Sequence, residues 1–229
     1  VVSAGGYHTV AIKTDGSLWA WGRGTYGQLG YEGSGNEYEP IQIGYDHNWA
    51  VVSSGGDHTI AIKSDGSLWA WGLNSLGQLG IGTYSNRYNP SQIGLSYDWN
   101  IVSAGDEFTV ATKNNGSLWA WGRGAEGQLG DGTHGSSALK NVPAQVGSDV
   151  DWADVSAGLS HTLAIKTDGS LWAWGSNGSG ELGDGTFVGK YIPTKIGTDE
   201  NWNVESAKWQ SMAIKTDGSL WIWGRNIEG

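Results

Sequence analysis

Cysteine is absent from all 229 residues. Disulfide staples, thiolate zinc sites and thiol nucleophiles are thereby excluded. Proline occurs four times, phenylalanine twice and methionine once. No stretch reads as a signal peptide or a membrane span. A repeat starts at the first residue, which is compatible with a leader removed beforehand, so cytoplasmic and secreted or cell-surface bacterial settings both fit. Positive charge is scarce: 13 Lys plus Arg stand against 23 Asp plus Glu, a net charge of -10. A nucleic-acid backbone is a poor partner for such a chain. The four arginines, Arg23, Arg87, Arg123 and Arg225, are dispersed along the sequence, and no basic cluster is expected from them.

Glycine and tryptophan are abundant instead, at 39 and 15 residues. Glycine at this level disfavours long helices, and the tryptophans carry much of the apolar weight. Their distribution is periodic. The segment "KTDGSLWAWG" from Lys13 returns from Lys63, Lys113, Lys166 and Lys215 with few changes. A catalytic constellation needs its groups once, so five near-copies point to architecture or to a repeated binding site. The units are residues 1–50, 51–100, 101–153 and 154–203, with a partial fifth at 204–229. Each complete unit carries a "VSAG"-like start, "HTVAIK" or a near-copy, "SLWAWG", "GQLG" ("GELG" in the fourth), a variable loop and a proline-led segment such as "PIQIG", and ends on Trp49, Trp99, Trp152 or Trp202.

Alternation makes these parts strands. Val10 and Ile12 fall on one face of "HTVAIK", and Thr9, Ala11 and Lys13 on the other. In "SLWAWG", Leu18 and Ala20 oppose Trp19 and Trp21. Asp15-Gly16 between the two runs is a hairpin signal, and Asn115-Gly116 replaces it in the third unit by the same turn chemistry. Each unit thus supplies about four antiparallel strands with one thin apolar face and one bulky one. Radial stacking sets the tryptophan face of one unit against the Leu/Ala face of its neighbour. Pro40, Pro90, Pro143 and Pro193 are expected to open the fourth strand, where a missing N–H is tolerated.

The run "AGGYHTVAIKTDGSLWAWGRGTYGQLG", its counterparts and the proline-led strand resemble the regulator of chromosome condensation family of repeats, over nearly the whole chain. The near-identity of the units resembles a bacterial-type array. The resemblance implies an all-β fold, a β-propeller of four-stranded antiparallel blades of about 50 residues, usually seven in number. It also implies no single chemistry: members include a guanine-nucleotide exchange factor that binds nucleosomes, a β-lactamase inhibitor and an ultraviolet photoreceptor. Their shared habit is to bind proteins through loops on one propeller face. The photoreceptor's "GWRHT" signature does not occur here. Seven blades need about 350 residues. The chain is therefore expected either as an incomplete part of a larger propeller or, the preferred reading, as a five-bladed ring with an incomplete last blade, with closure against a second copy as a further route.

Recurrent polar residues read as scaffold. His8, His58 and His161 share one phase, which Phe108 and Gln210 break. One histidine per unit makes no metal site, and each is expected to bond nearby backbone. Asp15, Asp65, Asp168 and Asp217 fit turn chemistry better than calcium or glycosidase sites. The lysine of each unit, Lys13 onward, is expected to lie along the surface or to pair with a turn acid. No phosphate loop or nucleophile elbow is present. Catalytic residues, metal ligands and cofactors are accordingly not expected.

Binding is expected where matched units disagree. Beside the repeat histidine stand Tyr7, Asp57, Glu107, Ser160 and Trp209, and Tyr26 is an aromatic in a segment that varies after each "WG". The function expected is a non-enzymatic propeller that binds a protein through face loops. Alternatives are a multivalent glycan-binding propeller and a repeat fragment with no activity of its own. Self-association through open blade edges is a further expectation.

Overall fold

The computed structural model describes residues 1–226, with the side chains of all of these but 204–207. The last three residues of the partial fifth unit lie outside it. The first blade is β1 (Val2–Ala4), β2 (His8–Ile12), β3 (Leu18–Gly22) and β4 (Glu37–Gln42). The second is β5 (Trp49–Ser54), β6 (His58–Lys63), β7 (Leu68–Gly72) and β8 (Arg87–Gln92). The third is β9 (Trp99–Ala104), β10 (Phe108–Lys113), β11 (Leu118–Arg123) and β12 (Leu139–Gln145). The fourth is β13 (Trp152–Ala157), β14 (His161–Lys166), β15 (Leu171–Gly175) and β16 (Lys190–Lys195). A three-stranded fifth blade has β17 (Trp202–Ala207), β18 (Gln210–Lys215) and β19 (Leu220–Gly224).

Within each blade the strands pair antiparallel in chain order, and the first strands β1, β5, β9, β13 and β17 lie side by side around the centre. The hairpin turns form as the sequence implies. Asp65 Oδ1 accepts from the Ser67 amide at 2.9 Å and its hydroxyl at 2.6 Å, and Trp69 Nε1 then donates to that hydroxyl at 2.9 Å. Asn115 does the same in the third blade. The tryptophan that ends each unit opens the first strand of the next blade. The fourth strand begins three or four residues before its proline, so Pro40, Pro90, Pro143 and Pro193 lie within it and do not open it. A missing N–H is tolerated there because this is the outer edge strand and its ladder with the third strand is interrupted by a register shift.

Blade stacking follows the expected rule. Trp71 of the second blade is fully buried against Val10, Leu18, Ala20 and Leu29 of the first. Trp121 packs on Leu68 and Ala70, Trp174 on Leu118 and Ala120, and Trp223 on Leu171 and Ala173. Each of these tryptophans also meets the one that opens its blade edge-on, as Trp71 meets Trp49 at 5.8 Å between centroids. From the second blade on, the lysine of each unit is clamped at this junction: Lys63 Nζ lies 4.6 and 4.2 Å from the Trp49 and Trp69 ring centroids and 2.7 Å from Asp46, whereas Lys13 lies over Trp19 alone. The acid partner of Lys63 is thus the loop residue before the strand and not the hairpin aspartate.

The arc does not close on itself among the described residues. The fifth blade's thin face, with Leu220 at 58% and Ile222 at 61% exposure, is uncovered, and the first blade does not pack on it. The five blades are present, but the preferred closed five-part ring is not what these residues form.

A polar clasp joins neighbouring blades. The Gln28 carbonyl accepts from Thr59 Oγ1 at 2.8 Å and from Trp71 Nε1 at 3.0 Å. Gln78, Gln128 and Glu181 do the same for Thr109 and Trp121, Thr162 and Trp174, and Ser211 and Trp223. The repeat histidine completes the clasp. His8, His58 and His161 place Nε2 at 2.9, 3.2 and 2.9 Å from the hydroxyls of Thr59, Thr109 and Ser211. They bond a side chain of the next blade, and not the nearby backbone expected from sequence. That hydroxyl spends its one proton on the carbonyl, so the histidine must donate through Nε2–H and is the Nδ1-bare tautomer.

Thr109→Val therefore leaves the buried His58 N–H without an acceptor. The expected cost is about 2–3 kcal/mol. In the next seam Phe108 stands at the histidine position, so Thr162→Val loses only the bond to Gln128, and about 1 kcal/mol is expected. Urea unfolding of the two variants checks this, and equal costs would remove the histidine from the clasp.

Candidate binding face

Each blade has two ends. One carries the Asp-Gly hairpins. The other carries the turn between the first and second strands and the variable loop that follows the third. At this second end, "WG" glycines allow a close approach: Gly22 has φ +105°, and a Cβ there would lie 2.6 Å from the Tyr7 carbonyl. The residue after that glycine then bonds the residue before the repeat histidine, as in Arg23 N to Tyr7 O at 2.9 Å. The same bond joins Leu73 to Asp57, Arg123 to Glu107 and Ser176 to Ser160. Two variable positions in each of the first four blades are thus made neighbours by the same backbone geometry.

In the first blade these neighbours form a cluster. The Arg23 guanidinium carbon lies 5.4 Å from the Tyr7 ring centroid and 5.2 Å from that of Tyr26. Its Nη1 is 4.0 Å from Asp57 Oδ1, which also accepts from Gln28 Nε2 at 2.8 Å. Tyr7, Tyr26 and Asp57, chosen from sequence because they vary, are therefore brought together across the first two blades. Glu107 pairs with Arg123 at 2.9 Å in the third blade. Ser160 and Trp209 line a separate cleft between the fourth and fifth blades.

Toward the centre, residues 4–6, 54–56, 104–106, 157–159 and Lys208 enclose a channel mouth of about 110 Å3. Glycines dominate its rim, with Asp106 and Lys208 as its charged side chains. Burial raises the Asp106 carboxyl above its ordinary value, and Glu107 and Asp57 push it further the same way. Burial also raises Asp57, against the pull of Arg23 and the Gln28 hydrogen bond. Deeper in the seams, burial lowers His8 to about 4, His58 to about 3 and His161 to about 4. Among the described residues no group of three or more His, Asp or Glu is placed to hold a metal ion.

The arginines were missed as a group. Arg23, Arg123 and Arg225 look dispersed along the chain, yet each directly follows "WG" and so occupies one phase of the repeat at this end of the blades. Counting by phase instead of by residue number finds them. The same count finds the channel-rim series Gly6, Gly56, Asp106, Leu159 and Lys208.

The RCC1-like domain family matches residues 1–229. This chain belongs to it. Human WBSCR16 superposes with a TM-score of 0.87 at 23% identity, over 99% of this chain and 61% of that one. Yeast RCC1 (Prp20), solved with Kap60 bound, gives 0.84 at 21% identity, over 99% and 56%. Prp20p from Saccharomyces cerevisiae, described with its binding properties to Gsp1p and histones, gives 0.81 at 22% identity, over 98% and 55%. The RCC1-like chain therefore spans about three fifths of the length of these relatives. At such identities the likeness carries the fold. The relatives are human and yeast proteins, so the expected bacterial type finds no support in them.

Proposed function

We propose that this RCC1-like chain is a non-enzymatic scaffold that holds a protein partner on the face bearing Tyr7, Tyr26, Asp57, Glu107, Ser160 and Trp209. One observation carries the reading. Recurrent residues turn the hairpins and join the blades, while Tyr7, Tyr26 and Asp57, which vary between units, gather around Arg23 at one end of the blades. Tyr7 is 69% exposed and Trp209 48% exposed there, each beside an arginine and neither packed into a seam between blades. Exposed aromatics beside arginine are the residue types that dominate protein interfaces. The complexes described for yeast RCC1 (Prp20) and Prp20p support protein as the class of ligand.

The test is capture by the immobilised chain with cross-linking to locate contacts. Tyr7→Ala, Tyr26→Ala and Trp209→Ala together are expected to weaken capture at least tenfold, since a hot-spot aromatic contributes about 2 kcal/mol or more. Cross-links confined to the hairpin end, with capture unchanged in the triple variant, would assign the partner to the opposite face.

A further inference from the structure

The cleft between the fourth and fifth blades differs from the rest of the molecule in its charge. Nine of the 13 lysines and arginines lie within 4.0 Å of a carboxylate. Lys13, Arg87, Lys208 and Arg225 have no such partner among the described residues. Lys13 is held over the Trp19 ring at 3.3 Å, and Arg87 lies on the outer strand β8. The other two share one cleft of about 140 Å3, whose lining includes Ser160, Ser176, Glu181 and Trp209.

Resting on the reading above that this face holds a protein, we propose that this cleft takes the carboxylate of an acidic peptide segment, held by Lys208 and Arg225 against Trp209. The Arg225 guanidinium carbon lies 4.8 Å from the Trp209 ring centroid. A guanidinium over an aromatic face keeps its N–H edge free and is pre-organised for a two-point bond to a carboxylate. Lys208 lies on the rim shared by the cleft and the channel mouth, and adds a second cation. The opposing charge is Glu181, which stands where earlier blades have Gln28, Gln78 and Gln128 and has its Oε2 engaged by the Ser179 amide at 2.8 Å. Asp106 across the channel mouth is the other acid that feels Lys208. Among the described residues that line it, two cations face one carboxylate, a net positive lining in a chain of net charge -10. The Ser160 and Ser176 hydroxyls make no hydrogen bond to other described residues and are free to donate to a bound oxyanion.

The experiment is a fluorescence-anisotropy titration of the intact chain with three labelled peptides of equal length: Glu-rich, Lys-rich and phosphoserine-containing. The Glu-rich peptide is expected to bind and the Lys-rich one not. Lys208→Gln and Arg225→Gln should each weaken binding about tenfold. Arg225→Lys, which keeps charge but loses the fork, should fall between, and Arg87→Gln should have no effect. Circular dichroism and the melting temperature confirm that each variant is folded. Equal binding of Glu- and Lys-rich peptides, equal loss in Arg87→Gln, or a phosphoserine peptide more than tenfold tighter would overturn the assignment. The double variant Tyr7→Ala, Tyr26→Ala separates this outcome from the wider reading. It spares the cleft, so partner capture lost there with no acidic-peptide binding sinks the cleft alone. Capture kept there, with acidic-peptide binding intact, sinks the proposed Tyr7–Tyr26 contact and leaves the cleft standing.

Discussion

Trp71→Ala is expected to cost about 3–5 kcal/mol, and Trp21→Ala under about 2 kcal/mol, although both sit in the same "LWAWG". Trp71 is fully buried, with its ring against Leu18 and Ala20 and its Nε1 on the Gln28 carbonyl at 3.0 Å. Truncation empties that space between two rigid sheets, which cannot collapse into it. No acceptor is orphaned, because Thr59 Oγ1 still donates to Gln28 at 2.8 Å. The cost is therefore lost burial and cavity, which sets the range. Trp21 presents the same face with no described blade packed over it and is only half-buried. Urea unfolding of the two variants measures the difference. Equal losses would mean that the tryptophan supports its own blade and not the seam between blades.

That contrast shows how far the sequence could be read. The hairpins were legible because Asp-Gly and Asn-Gly between alternating strands state a turn type locally. The stacking rule was legible because Leu18 and Ala20 against Trp19 and Trp21 give each sheet one thin and one bulky face. The proline position was misjudged because a register shift in the outer ladder is a tertiary event: it lets Pro40 sit inside β4, where sequence alone places a strand start. The partner of the histidine was missed for a similar reason. Thr59 lies 51 residues from His8, and only the stacking of blades brings its hydroxyl to the ring.

The face was half legible. Tyr7, Asp57, Glu107, Ser160 and Trp209 stood out because they break a repeat. What joins them did not, because Arg23, Arg123 and Arg225 were read by their spacing along the chain. In a repeat fold, distance in sequence carries little information and phase carries most of it. Net charge misled in the same way. A total of -10 hides a cleft in which, among the described residues, two cations meet one acid.

The histidine clasp makes the fold acid-labile well above the range where carboxylates titrate. His8, His58 and His161 are neutral in the fold, lowered from 6.5 to about 4, about 3 and about 4 by burial. The unfolded chain therefore binds more protons than the folded one as pH falls below about 6.5, and stability rises with pH across that window. The contribution is complete above about 6.5 and is lost on descent toward 4. Three histidines give a slope of about 4 kcal/mol per pH unit at full effect. Integrated, the three rings remove about 6 kcal/mol by pH 5 and about 9 kcal/mol by pH 4, so a domain at the lower end of ordinary stability, about 5–8 kcal/mol, would reach its acid midpoint at about pH 4.5–5.5. Two carboxyls act in the opposite sense at the acid end, because Asp57 and Asp106 are raised and take up protons in the fold first. The hairpin aspartates, such as Asp65 and Asp217, are lowered by their serine hydrogen bonds and matter only below their ordinary value of 3.8. The slope is therefore cleanest between about pH 5 and 6.5. His58→Phe has a precedent in Phe108, which is fully buried at the same phase, and should remove one proton from the count. Replacing all three histidines by glutamine, the residue found at Gln210, should flatten the slope. Urea midpoints measured across this pH range give the number of protons directly. Fewer than one proton in the parent chain, or the same slope after triple replacement, would mean that the rings protonate without opening the seams.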